Sequence, residues 1–286
     1  PDGERYHTPL VRLYTVALDP NVAERVVDVQ TFQGEGWLDA VLTAQPDGIL
    51  LALNTYQRAN SPSSRRWHSD VHVLVPGEDG VPVLQGVAPL SGVVHDTFKM
   101  RYQGGVLTAI SQEVDWGSRR FTRNTKFENF RLGDSGFVPT GSLDLAPGET
   151  LFATRFHGDT VYVVTFLFVD PLFAIDNSNP EAPVIAGELE VPGWSNYIEW
   201  VDDRLFAVGI EEQKLSVSIF DVADPANMSL QDRVFLNEDS WAHSEAQYDD
   251  QAISFFPEER LLMLPFTTWA WTSEEPVKAM QLVSWD

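Results

Sequence analysis

An all-β fold, a beta-propeller of four-stranded antiparallel blades, is predicted by three features of this 286-residue sequence. A polar or glycine turn followed at once by an apolar strand recurs five times, with about four strand-length apolar runs per interval and Asx/Pro hairpins between them. The recurring phrases are Asp47-Gly48-Ile49-Leu50-Leu51, Gly104-Gly105-Val106-Leu107-Thr108, Gly158-Asp159-Thr160-Val161-Tyr162, Asp202-Asp203-Arg204-Leu205-Phe206 and Glu258-Glu259-Arg260-Leu261-Leu262. Counted from the second turn residue they lie 57, 54, 44 and 56 residues apart. Periods of about 40 to 50 residues with several strands per unit mark propeller blades. The sequence is therefore read as about five recognisable blades in one domain over residues 1–286, or as a fragment of a longer propeller.

The unit that begins near Leu151 shows the plan. Leu151 to Phe156 is predicted as its first strand, Thr160 to Phe166 as the second, Leu172 to Ile175 as the third and Val184 to Glu190 as the fourth. The hairpin between third and fourth strands is Asp176-Asn177-Ser178-Asn179-Pro180, with counterparts at Asp19-Pro20-Asn21 and Asp224-Pro225-Ala226-Asn227. Proline presets a backbone angle and Asx side chains bond the local backbone, so these residues serve the turns. At the ends, Val11 to Leu18 and Arg25 to Gln33 read as third and fourth strands, and Lys278 to Trp285 reads as a further third strand. One strand type is duplicated, which fits a fragment better than an irregular terminal blade.

Composition excludes several functions. With 42 acidic against 19 basic residues the formal charge is -23, which opposes an extended nucleic-acid surface because phosphate contacts need basic stripes. Such acidity suits high salt or bound cations. Without cysteine there is no disulfide framework, thiol nucleophile or cysteine-ligated metal. The most hydrophobic run, Val161 to Phe168, has the length of one buried strand, so no membrane span is expected. No basic and apolar leader opens the sequence, so a secretion signal is missing or already removed.

A long ordered string carries a family resemblance. Gly148-Glu149-Thr150-Leu151, Arg155-Phe156-His157-Gly158-Asp159, Asp170-Pro171-Leu172-Phe173, Val191-Pro192-Gly193-Trp194-Ser195-Asn196-Tyr197, Phe220-Asp221-Val222-Ala223-Asp224-Pro225 and Ser244-Glu245-Ala246-Gln247-Tyr248-Asp249 occur in sequence. Upstream stand Asp96-Thr97-Phe98-Lys99-Met100 and Gly105-Val106-Leu107. This string resembles the secreted bacterial and archaeal proteins with a C-terminal beta-propeller domain, over most of 93–266 and more loosely over 11–54. The resemblance implies an extracytoplasmic propeller without a settled biochemical activity. Two departures stand out: Asp250-Gln251 replaces an expected His-Lys pair, and the family's N-terminal blades and much of 55–93 are lacking.

In a propeller, second-to-third loops and the loops leading into each blade emerge on one face. Seven of nine tryptophans sort to that face. Trp67, Trp116, Trp269 and Trp271 fall in second-to-third loops, and Trp37, Trp194 and Trp241 precede blades, with Arg58, Arg65, Arg66, Arg119, Arg120 and Arg123 beside them. Rim aromatics offer large contact area at small entropic cost, so Trp67, Trp116, Trp194, Trp241, Trp269, Trp271, Arg119 and Arg120 are the candidate ligand-binding set. The competing reading wedges Trp37, Trp194 and Trp241 between blades as core residues.

Three groups suggest metals. His68-Ser69-Asp70-Val71-His72 places two imidazoles and a carboxylate at alternate positions of a strand, a spacing zinc can use, against a solvated loop. Glu238, Asp239, Glu245, Asp249 and Asp250 form an acidic group that could hold calcium or simply line a turn. Asp170, Glu211 and Glu212, if they converge, could bind a cation or serve as acid and base.

The functional expectation is a non-enzymatic extracytoplasmic binding or scaffold module with a protein or polysaccharide partner, completed in some cases by a missing portion of the same propeller. The alternatives are a glycosidase-like hydrolase using channel carboxylates such as Asp170 and Glu211, and a structural subunit of an envelope assembly that accepts a donated strand. Against hydrolysis, no Gly-x-Ser-x-Gly elbow, His-Glu-x-x-His or phosphate loop occurs.

Overall fold

The computed structural model describes residues 10–18, 21, 26–34, 39–58, 65–116, 121–167, 170–212, 214–236, 241–269 and 276–286. The chain is all-β, built of antiparallel sheets in the four-stranded pattern that the repeat predicts. The strands gather into two compact units, one of residues 1–148 with Pro180–Ala182, the other of 149–179 and 183–286.

In the first unit, β1 (Leu10–Val16) and β2 (Val26–Gln33) form a two-stranded hairpin. The first four-stranded set is β3 (Asp39–Gln45), β4 (Gly48–Arg58), β5 (Arg65–Pro76) and β6 (Pro82–Pro89). The next four strands are β7 (Met100–Gln103), β8 (Val106–Trp116), β9 (Phe121–Gly133) and β10 (Gly136–Leu145), and the pair Arg66↔Asp115 between β5 and β8 joins both fours into one eight-stranded sheet. In the second unit come β11 (Thr150–His157), β12 (Thr160–Phe166), β13 (Asp170–Asp176) and β14 (Val184–Val191), paired in chain order. Then follow β15 (Trp194–Val201), β16 (Arg204–Glu211), β17 (Lys214–Asp221) and β18 (Ser229–Phe235). The last sheet is β19 (Trp241–His243), β20 (Ser254–Phe256), β21 (Leu261–Trp269) and β22 (Val277–Ser284).

Each of the five turn-plus-strand phrases proves to be the turn into a second strand: β4, β8, β12, β16 or β21. The physical reason is burial on both faces. β16 is buried from Leu205 to Ile210, every residue in the run, and a strand covered on both sides reads as a continuous apolar run, whereas outer strands such as β14 alternate. Stacked sheets then share their apolar faces. Val41, Leu50, Val71, Val94, Met100, Leu107 and Phe130 close one core between the strands β3–β6 and β7–β10. Tyr162, Leu172, Ile198, Leu205, Phe220 and Val222 close another between β11–β14 and β15–β18. Each such Leu or Phe contributes about 2 kcal/mol relative to exposure.

The β1–β2 hairpin lays Phe32, with Val11 and Leu13, on Leu51, Leu53 and Leu74. Gln30 Nε2 donates to Pro82 O at 2.5 Å, tying the hairpin to the adjoining sheet. Between β6 and β7 the chain is stitched inward: Ser69 N donates to Gly92 O and Val93 pairs with Gln112. A buried polar knot locks this crossing. Asn54 Nδ2 donates to Val94 O at 2.8 Å, Ser69 Oγ donates to Asn54 Oδ1 at 2.5 Å, and Val94 N donates back to Ser69 Oγ at 2.9 Å.

The last sheet departs from the regular plan. β19 and β20 both pair with β21 on the same side, so its leading strand is broken by residues 244–253. Two short 3-10 turns fill the break, the first closed by Ser244 and Gln247, whose Oε1 accepts from Ser244 N at 3.2 Å. Pro265 in β21 faces this gap: its carbonyl accepts from Ser244 Oγ, and its nitrogen, which carries no hydrogen to donate, lies on the same edge of the strand.

Candidate functional site

The tryptophans predicted for the rim occupy strand ends. Trp116 closes β8, Trp194 opens β15, Trp241 opens β19 and Trp269 closes β21, with Trp241 and Trp269 as register partners. These are the corresponding ends of their own sheets, since a second strand finishes where a first strand starts. Trp67 differs from expectation. The β4–β5 hairpin keeps pairing out to Arg58 and Arg65, so Trp67 is the third residue of β5, opposite Tyr56, and Arg58, Arg65 and Arg66 also stand in the ladder rather than a loop. Arg123 likewise lies in β9, and its carbonyl accepts from Gly148 N at 2.7 Å. Trp37, Trp271, Arg119 and Arg120 lie outside the described residues, as do Glu238 and Asp239.

Of the carboxylates expected to bind cations, Glu211 and Asp249 have local partners. Glu211 ends β16 and pairs with Arg233, which also donates through Nε to Ser218 Oγ at 2.7 Å and through Nη1 to Pro192 O at 2.8 Å. Asp170 opens β13 opposite Val191, and Glu212 follows β16 in left-handed backbone at φ 49°. Glu245 sits in the first 3-10 turn, Asp250 begins the second, and Asp249 Oδ1 caps that turn by accepting from Gln251 N at 2.9 Å. His68 Nε2 stands 3.8 Å from Asp70 Oδ2, while the His72 ring is engaged edge-on by Phe32 at 5.1 Å. Among the described residues no three His, Asp or Glu side chains gather as a metal site.

The second unit gathers a constellation that sequence reasoning missed, at the seam between β11–β14 and β15–β18. Arg155 of β11 reaches across to β15: Nε donates to Ile198 O at 3.0 Å, and Nη2 donates to Tyr197 OH at 3.2 Å and to Glu199 Oε2. Tyr197 OH donates to the same carboxylate oxygen at 2.5 Å, and the guanidinium stands 5.5 Å from the Tyr197 ring centroid. Burial, reinforced by the hydrogen bond to the Glu199 carboxylate, pushes the Tyr197 hydroxyl well above the ordinary tyrosine pKa. The carboxylate's other oxygen accepts from Trp200 N at 3.1 Å, so the next side chain along β15 is held in register.

That next side chain is Trp200, whose ring lies face to face with His157 and 5.8 Å from the ring of Tyr162. Tyr162 OH donates to Val222 O at 3.4 Å, and burial raises its pKa to about 12. Together they floor a cleft of about 370 Å³ whose other walls include Asp203, Val222 and Pro225. The Pro225 wall is set by close backbone packing. A Cβ on Gly187 of β14 would meet Pro225 O at 1.9 Å, so only glycine lets this outer strand lie against the turn between β17 and β18. The signal for the cleft was present as His157, Trp200 and the Asp202-Asp203 turn, but its residues come from two blades and three turns. Nothing in their spacing joins them.

The beta propeller domain family model matches residues 15–283 of the chain. An uncharacterized protein of Methanocaldococcus jannaschii is 36% identical over 152 residues, covering 52% of this chain and 24% of that protein. An uncharacterized protein of Archaeoglobus fulgidus is 42% identical over 156 residues, covering 54% of this chain and 24% of that protein. The chain thus matches about a quarter of the length of these relatives. It is also similar to a Bacteroides uniformis crystal structure described as a candidate 6-phosphogluconolactonase, at 13% identity and a TM-score of 0.46, covering 95% of this chain and 81% of that one.

Proposed function

Since this chain belongs to the beta propeller domain family, we propose that it is a non-enzymatic binding or scaffold module acting outside the cytoplasm, with its tryptophan-bearing strand ends turned to a protein or polysaccharide partner. One observation carries the reading. Trp194 opens β15, Trp241 opens β19, and Trp269 closes β21 opposite Trp241, so three tryptophans stand at corresponding ends of two successive sheets of one unit. Large rigid aromatics at such positions supply contact area with little entropy to lose. The engagement of Glu211 with Arg233 favours binding over acid–base work by that carboxylate. The proposed extracytoplasmic location rests on the family resemblance of the 93–266 segment alone.

The test is retention of the purified chain on insoluble cell-wall polysaccharide and on immobilised envelope protein, with circular dichroism as the control for folding. Trp194→Ala and Trp269→Ala should each lower retention by at least about tenfold at unchanged fold, as loss of a central aromatic anchor does. Equal retention in both variants overturns the proposal.

A further inference from the structure

We infer that the cleft at the opposite end of β15 is a second binding site, one for an organic cation carrying a guanidinium or ammonium group. Trp194 opens β15 and Trp200 stands one residue from its end, so this site is distinct from the tryptophan-bearing strand ends.

The cleft measures about 370 Å³, enough for one side-chain-sized group. Its floor is the indole of Trp200, fixed before any ligand arrives by the His157 stack, the Tyr162 ring and the bond from its own amide to Glu199. Indole is the side chain with the strongest attraction for a cation over its face. Asp203 supplies the opposite charge. Its carboxylate is exposed and has neither a hydrogen bond nor an ion pair among the described residues, and no lysine or arginine lines the cleft. The neighbouring Arg204 is turned away, with Nη1 donating to Asp286 O at 2.5 Å.

The turn that carries Asp203 is a tight hairpin turn. Asp202 and Asp203 both hold left-handed backbone, φ 50° and 60°. The equivalent turn between β7 and β8 uses Gly104 and Gly105 at φ 57° and 79°, residues that adopt this conformation without steric strain. A π surface, one unpaired carboxylate and a lining without lysine or arginine select a cation; a neutral sugar would call for paired donors and acceptors around the ring.

The experiment is calorimetric titration at pH 8 with L-arginine amide, methyl β-glucoside as the neutral comparison, and the variants Asp203→Asn, Trp200→Leu and Trp269→Ala. The expected result is saturable binding of arginine amide that weakens about fivefold in Asp203→Asn, consistent with one exposed ion pair, and weakens further in Trp200→Leu. Trp269→Ala should leave it unchanged, which separates this site from the tryptophan-bearing strand ends. Asp203→Asn lies on an exposed turn and keeps the fold even where Trp200→Leu does not. Absence of saturable binding, undiminished binding in Asp203→Asn, or saturation by methyl β-glucoside alone overturns the inference.

Discussion

The imidazole of His157 lies parallel to the indole of Trp200, with ring centroids 3.7 Å apart and planes 13° from coincidence. His157 ends the first strand of one sheet and Trp200 nears the end of the first strand of the next, so the stack joins two sheets that also share the apolar core. His157→Ala should cost about 1 kcal/mol, the worth of one aromatic pair beyond its buried area. Chemical denaturation would measure it, together with a red shift of indole emission as Trp200 gains water. A variant as stable as the parent would mean that the stack is incidental.

A stronger clasp lies one step back along both strands. Glu199 Oε2 accepts from Arg155 and from Tyr197, all three being at most half-exposed. Glu199→Gln removes the charge that both donors address and should destabilise by about 2 kcal/mol, in the range of hydrogen bonds to charged groups. Combined with Arg155→Met the loss should be smaller than the sum of the two single losses, because the second substitution removes a partner already orphaned. Additive losses in the double-mutant cycle would show that the pair is not coupled.

Alkaline pH should weaken the second unit through its tyrosines. Burial raises the Tyr162 hydroxyl to about 12 and raises that of Tyr197 in the same direction. Unfolding releases both to the ordinary value near 10, so the unfolded state binds fewer protons above that pH. Their stabilisation is therefore complete below pH 10 and is lost as pH rises through the folded values. Tyr162 alone accounts for roughly 2 to 3 kcal/mol between pH 10 and 12. Denaturation midpoints taken across that interval should fall steeply in the parent and less steeply in Tyr162→Phe; parallel curves would refute the assignment.

Gly187→Ala should be among the most damaging single-methyl additions in the chain. The new Cβ meets the carbonyl oxygen of Pro225 at 1.9 Å and its carbon at 2.9 Å, both backbone atoms that cannot rotate away. A loss of about 3 kcal/mol is expected. The displaced Pro225 should also widen the cleft and weaken arginine amide binding, readable by the same titration.

In the first unit, Ser69→Ala should cost about 2 kcal/mol, since it leaves the buried amide of Val94 and the buried Asn54 Oδ1 without their partner. Hydrogen exchange at Val94 should quicken in the variant. Protection equal to the parent would show that the knot is not what holds the crossing between β6 and β7.

Much of the fold was legible because its loudest signal has a simple cause. A second strand covered on both faces must be apolar along its length, so Val161 to Val164 and Leu205 to Ile210 announce themselves, and each turn before them carries residues suited to a tight hairpin. The strands predicted from Leu151 to Glu190 fall within two residues of β11–β14 at every boundary, the largest difference being the start of β13 at Asp170, two residues ahead of Leu172. What escaped was local detail that depends on partners. The length of the β4–β5 arms drew Trp67 into the ladder, and the 244–253 break was invisible because its closure by Ser244, Gln247 and Pro265 is a matter of three-dimensional pairing.

The sequence by itself determined the all-β class, the repeat and the second strands, since these follow from burial patterns and turn preferences that act over a few residues. Only the tertiary structure decided that Glu211 answers to Arg233, that Arg155, Tyr197 and Glu199 share one carboxylate oxygen, and that His157, Trp200 and Asp203 border one cleft. Arg155 lies 42 and 44 positions from Tyr197 and Glu199, and His157 lies 43 and 46 positions from Trp200 and Asp203, in each case across two sheets. Side chains that distant meet when stacked sheets bring their strand ends side by side, and that alignment is set by the packing of the shared core rather than by any local preference.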